Sequence, residues 1–239
     1  MLSREKKLSK VIRLFHTVKY LRFKQVWFRF CAKVNKLKLK QYKGLAPSYH
    51  AWRFDAPLAY SQSMFDDGRV VFLSKSVNAN SEHIWNDATQ PKLWLYNLHY
   101  FDDLNAEGFE ARKLLHLQFI TRWIEENPPC EGNGWEPYPL SLRLVNWVKW
   151  LSKKSEVNDA TLISMVQQAH ALTQQLEYHI LGNHLFANAK ALIFVGCYLD
   201  SKESVRFLNI GLKILDNEVK EQFLDDGAHF ELSPMYHQI

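Results

Sequence analysis

The sequence predicts a mainly α-helical protein, and three observations carry that prediction. From Pro91 onward, apolar side chains recur at steps of three and four in successive blocks. Pro128-Pro129 and Gly182 punctuate the blocks, and the connections are short enough to turn consecutive helices antiparallel. One run alone, 69–73 after the turn Asp66-Asp67-Gly68, reads as a good strand.

In chain order, residues 1–43 form a basic arm with 14 Lys and Arg against one acid, while the remainder holds 16 against 24. Val11, Leu14, Phe15 and Val18 share one helical phase, and Phe23, Val26, Trp27, Phe30 and Val34 share a phase slipped by one residue. This predicts two helices, or one with a break near Leu21-Arg22. Aromatic residues opposite Lys and Arg suit an anionic membrane surface or an acidic partner. The alternative is that the apolar stripe docks on the body and the charges are merely solvated. No nucleic-acid-binding module is recognisable, so nucleic acid is not an expected partner. Residues 44–90 lose helical periodicity and read as an irregular linker with a short β-containing segment near 55–75.

The body, 91–239, opens on LWLYNLHYFDDL and continues with a helix expected over 105–127, ended by the two prolines. The loop CEGNGWEPYP then leads into a helix over 141–153, with Leu144, Val145, Val148 and Leu151 inward. Another face of that helix repeats Arg143, Asn146, Trp147 and Trp150. Flat aromatics beside a guanidinium and an amide match an anionic sugar, through stacking and charge-assisted hydrogen bonds. The alternative is that the tryptophans are core and Arg143 pairs with an acid. Further helices are expected at about 159–181, 183–199 and 203–222.

Two stretches hold the polar chemistry: EYHILGNHLFANAKA and GAHFELSPMYHQI. In the first, Gly182 should end one helix in a left-handed exit, with Asn183 capping the next and His184 in its first turn. In the second, Ser233-Pro234 is a strong helix start with only five residues after it, so a longer protein is expected. The three cysteines have no metal or disulfide-framework spacing. Glu177, His179 and His184 lie close in sequence but do not form HExxH, and no metal site or cofactor is expected. No run is long enough to span a membrane, and no secretory signal is legible.

Together LWLYNLHYFDDL, GWEPYPLSLRLVNWVKW, EYHILGNHLFANAKALIFVG and GAHFELSPMYHQI resemble the N-terminal domain of the heparinase II/III family of polysaccharide lyases, over roughly residues 85–239. The resemblance implies an incomplete α/α toroid of antiparallel helix pairs, a β-sandwich domain that this chain lacks, and a bacterial periplasmic setting. It implies β-elimination on a uronic-acid-containing acidic polysaccharide, heparin- or heparan-like or a bacterial surface glycan. Asn183, in the GNH motif, would hydrogen-bond the substrate carboxylate and His184 would be base or second neutraliser. Tyr236 would protonate the leaving oxygen, and act as base too if the elimination is syn, with Glu231 and His237 orienting it. Trp135, Glu136, Arg143, Asn146 and Trp147, with Glu231 and His237, would bind substrate. Family enzymes draw a further histidine from the sandwich domain, so the chain alone is expected to be inactive. Two other readings stay open: a non-catalytic glycan-binding scaffold, and a glycoside hydrolase needing two opposed carboxylates among Glu136, Asp225, Asp226 and Glu231.

Overall fold

A computed structural model describes residues 16, 21, 23–34, 37–39, 46–50, 60–81, 83–153, 156–230 and 232. Its architecture is mainly α. The arm contributes α1 (Phe23–Val34), and the body contributes α2 (Lys92–Tyr100), α3 (Lys113–Glu126), α4 (Pro137–Leu151), α5 (Asp159–Gln174), α6 (Gly182–Tyr198) and α7 (Lys202–Gln222). The first of the two helices expected in the arm lies outside the described residues, apart from the helical His16.

Local chemistry sets these bounds. The Asn158 side chain accepts from Thr161 N at 2.8 Å to start α5, and a reciprocal Ser201/Ser204 capping box starts α7. Helix α4 begins at Pro137, four residues before the expected start, because proline at the first helical position forfeits no intrahelical donor. The helix expected over 105–127 is shorter. Gly108 is left-handed (φ 67°), and two 3-10 turns, Asp102–Asn105 and Phe109–Arg112, come before α3.

Helix α5 likewise ends at Gln174, well before Gly182. The apolar period runs on through Leu176 and Ile180, but the Glu177 N–H donates to Asn188 Oδ1 at 2.9 Å, and the Glu177 carbonyl accepts from the N–H groups of Ile180 and Leu181. Side-chain capture of this backbone replaces the helical bond and bends the chain into a turn.

The expected strand is present as β2 (Arg69–Phe72), paired antiparallel with β3 (Lys75–Asn78). Their two-residue loop, Leu73-Ser74, has φ of 51° and 61°, the left-handed pair that a tight hairpin requires. The described residues of 44–90 are more than a joint. Met64, Val70, Phe72 and Ala79 belong to the same core cluster as Trp94 and Trp147, and Trp94 Nε1 donates to the Lys75 carbonyl at 3.2 Å. Asp103, fully buried, accepts from Met64 N, Arg112 Nε and His116 Nε2 at 3.1, 2.9 and 2.8 Å. A second tie joins β1 (Ser48–Tyr49) to β4 (Leu199–Asp200), with Ser48 opposite Asp200.

Helices α6 and α7 pack antiparallel at close range. A Cβ on Gly196 would meet Leu208 N at 2.7 Å, and one on Gly211 would meet the Ala189 carbonyl at 2.8 Å. Hydrogen in place of a side chain is what allows this approach. The core beside α4 is built on Trp85, Trp94, Trp123, Trp147 and Trp150, all fully buried.

Candidate functional site

A cleft of about 1020 Å³ opens where the start of α4, the 174–180 turn, the start of α6 and the inner side of α1 meet. Glu136, Tyr138, Glu177 and His184 are among its polar walls. The turn described above fixes Glu177 by its backbone, and Asn188 then fixes its side chain: Asn188 Nδ2 donates to Glu177 Oε2 and to Ser141 Oγ, both at 3.0 Å. The Ser141 hydroxyl in turn donates a hydrogen bond to the Pro137 carbonyl at 2.8 Å.

The other oxygen, Glu177 Oε1, lies 2.9 Å from His184 Nδ1. Glu177 is buried to 4% exposure. When Nδ1–H is donated to that carboxylate, a neutral His184 carries its lone pair on Nε2. Its ring packs 4.4 Å from that of Tyr138, and its side chain remains 31% exposed. An imidazole held against a buried carboxylate on the wall of an open cleft is an arrangement that can accept a proton from a bound molecule.

Asn183 precedes His184 as the second residue of α6, half-buried, and does not line this cleft. Leu181 and Gly182, both at positive φ (67° and 59°), deliver the chain into that helix. The expected N-cap at Asn183 is corrected: Leu181 occupies that place, and Asn183 is already inside the helix. Glu136 caps α4 by position and faces Lys92 Nζ at 2.9 Å, and it accepts a hydrogen bond from the Tyr96 hydroxyl. Burial, then that bond to Glu136, pushes the Tyr96 phenol up to about 12.

The sugar-facing stripe expected on α4 is corrected as well. Arg143 is fully buried, with Nε donating to Gln168 Oε1 at 2.9 Å, an Nη donating to the Gly134 carbonyl at 2.7 Å, and the guanidinium 3.8 Å from the Trp123 ring centroid. It pairs with carbonyls and an indole face rather than with an acid. Trp147 is fully buried, and Trp135 is buried with its indole N–H donated to the Asn127 carbonyl. The Asn146 amide is also buried, and donates to the Tyr100 carbonyl and Asp102 Oδ1. These four side chains hold α4 in the fold and offer no surface to a sugar. Tyr236, Glu231 and His237 lie outside the described residues.

Reading by sequence missed Asn188, Ser141 and Tyr138. One signal was available for Asn188: it is an amide set four residues after His184, among Ala187, Ala189 and Leu192. Among the described residues, no three of His, Cys, Asp and Glu converge as metal ligands.

The heparinase II/III N-terminus family description matches residues 14–239. The chain belongs to the heparinase II/III family. Within the curated proteins, it is 32% identical over 133 residues to a heparin-sulfate lyase of Bacteroides thetaiotaomicron, covering 51% of this chain and 19% of that protein. It is 30% identical over 144 residues to a heparin-sulfate lyase of Pedobacter heparinus, covering 56% of this chain and 22% of the other. A third heparin-sulfate lyase, from Bacteroides stercoris, is 36% identical over 61 residues, 25% of this chain and 9% of that one. The heparinase II/III chain described here thus spans about a fifth of the length of the first two relatives. No solved structure matches it significantly.

Proposed function

We propose that the protein carrying this chain is a polysaccharide lyase that cleaves a uronic-acid-containing acidic polysaccharide by β-elimination. The observation that carries the reading is the His184–Glu177–Asn188 relay on the cleft wall, with the Asn183 carboxamide next to it in sequence. The names of the similar heparin-sulfate lyases favour a heparin- or heparan-like substrate. Family membership favours an incomplete α/α toroid and a periplasmic setting, and the antiparallel α6–α7 pair is the arrangement that such a toroid repeats.

In this reaction His184 Nε2 takes the C5 proton of the uronate. The Asn183 amide, next to His184 but off the cleft lining in this structure, would turn toward the substrate to donate to the adjacent carboxylate, where charge builds as the C–H bond breaks; one such donor is worth roughly 3–4 kcal/mol. The C4–O4 bond then breaks, the C4=C5 double bond forms, and Tyr236 passes its phenolic proton to the departing oxygen. A phenol, with an ordinary pKa of about 10, suits donation to an alkoxide.

The test is to digest heparan-type and other uronate polysaccharides with the full-length protein and follow the ultraviolet absorbance of the unsaturated uronate. Asn183→Ala, His184→Ala and Tyr236→Phe should each abolish its appearance. Saturated reducing ends would mean a hydrolase, and binding with no new ends would mean a glycan-binding scaffold.

A further inference from the structure

The two long faces of α1 differ. Its inner face helps close the cleft through Phe28 and Cys31, and it is pinned there. The Phe28 ring lies 4.7 Å from that of Tyr178, and Lys24 Nζ sits 4.4 Å over the same ring. The arm therefore docks, but not by the stripe expected from its apolar spacing. Most of that stripe points outward: Phe23, Val26, Trp27 and Phe30 are 83, 38, 53 and 61% exposed, while Val34, at its end and 61% exposed, also borders the cleft. At about 100° per residue these five fall in one arc of roughly 100°, with Lys24 beyond one edge and Arg29 beyond the other.

Docking through Phe28 leaves this arc uncovered, and charge says what fits it. The sequence of α1 contains no acid, and residues 1–43 carry 14 Lys and Arg against a single Glu. An aromatic arc bordered by Arg29, on a helix with no acid, is matched by a lipid surface, with rings at the headgroup–acyl boundary and the guanidinium among anionic headgroups. With 12 residues, α1 is only about 18 Å long, so it would lie in the plane of the surface and not cross it.

We propose that α1 seats the protein on an anionic membrane surface through Phe23, Trp27 and Phe30. Because its opposite face walls the cleft, docking holds the cleft about one helix diameter, roughly 10 Å, from the headgroups. Combined with the proposed function, this seating would set the site to act on glycan lying against a membrane. The inference does not depend on the lyase chemistry.

The test is flotation of the full-length protein with vesicles of phosphatidylcholine alone, or of phosphatidylcholine and phosphatidylglycerol in equal parts, at low and high salt. Binding should favour the anionic vesicles and weaken with salt. The combined Phe23→Ser, Trp27→Ser and Phe30→Ser variant should lose about tenfold or more, with unchanged thermal stability because these side chains are exposed. Arg29→Gln should lose about fivefold, the worth of one basic residue at such a surface. Brominated lipid should quench indole fluorescence, and Trp27→Phe should remove that quenching while binding persists. Equal binding to neutral and anionic vesicles, or undiminished binding by the triple variant, would overturn the proposal. So would a triple variant whose only change is a smaller oligomer in lipid-free solution, which would make the face a protein–protein contact.

Discussion

Glu177 Oε1 sits 2.9 Å from His184 Nδ1 across the bend between α5 and α6, so a buried carboxylate favours the ring proton on that nitrogen. The bend exists because Asn188, a full turn into α6, claims the Glu177 backbone N–H that would otherwise extend α5. One side chain thus sets both the helix boundary and the carboxylate that orients the histidine.

Glu177→Gln tests that orientation. The amide can present its N–H to His184 Nδ1, which then accepts and moves the ring proton to Nε2, the wrong place for a base. With the full-length protein, kcat should fall by about 10²–10⁴-fold with KM little changed, the range ascribed to general-base catalysis. Circular dichroism and the melting temperature would show that the fold survives. An unchanged kcat would remove His184 from the chemistry.

Arg143→Lys separates a structural from a substrate-binding role. The guanidinium has Gln168 and the Gly134 carbonyl as acceptors at 2.9 and 2.7 Å, and Trp123 beneath it, while burial works against its charge. A lysine ammonium cannot reproduce that planar fork. The variant should lose about 2–4 kcal/mol of unfolding free energy in urea titration, as expected for disrupting a buried charged network. A rise in KM at unaltered stability would restore the sugar-binding role.

Arg143 also shows where the sequence stopped being legible. Its helical spacing with Trp147 and Trp150 was plain, but which face turns inward depends on acceptors far along the chain: Gln168 on α5 and the Gly134 carbonyl. The strong local signals transferred well: Pro128 follows α3, and α5 and α7 begin within a residue of their expected places, at Asp159 and Lys202. Strand β3 left no trace because its turn, Leu73-Ser74, lacks the Asn or Gly that usually announces positive φ. In the site, the cluster of Glu177 with His184 was visible as spacing. Its meaning came from Asn188 and from a bend that periodicity alone argued against.

Acid stability should carry two opposing contributions. His99 is fully buried, and burial first, then the Arg143 charge, lowers its pKa from 6.5 to about 3. It accepts from Trp123 Nε1 and faces the Trp85 carbonyl, as a neutral ring does. As pH falls below 6.5, the unfolded chain takes a proton that the folded one refuses, and stability drops by up to about 1.4 kcal/mol per pH unit.

Asp102 runs the other way. Burial raises its carboxyl from 3.8 to about 6 against the Asn146 bond and the Lys149 charge, so the fold takes up a proton first and gains stability from about pH 6 down to about pH 4. The two should nearly cancel in that window. Asp102→Asn removes the gain, so its stability should fall with acid more steeply than that of the wild type, and should exceed it at pH 7.5 by up to about 3 kcal/mol. Urea midpoints at pH 7.5, 6, 5 and 4 would check this, and parallel curves would refute it.

Leu181 holds φ at 67° and ψ at −162°, a region that only glycine occupies without cost, directly ahead of Asn183 and His184. Its side chain packs on the small cluster of Leu185, Ala189 and Ile214. Leu181→Gly relieves about 1–3 kcal/mol of backbone strain while giving up the packing of one partly exposed side chain, about 1–2 kcal/mol, so the melting temperature should barely move. What changes is the entry into α6. The leucine anchors a strained turn in one conformation, and a Gly-Gly pair at 181–182 frees it, letting the Asn183 carboxamide and the His184 ring sample other directions. Since a displacement of about 1 Å can cost on the order of 10²-fold in rate, kcat should fall far more than stability does. A variant with lower stability and full activity would show instead that Leu181 serves packing alone and that the strained turn contributes nothing to the site.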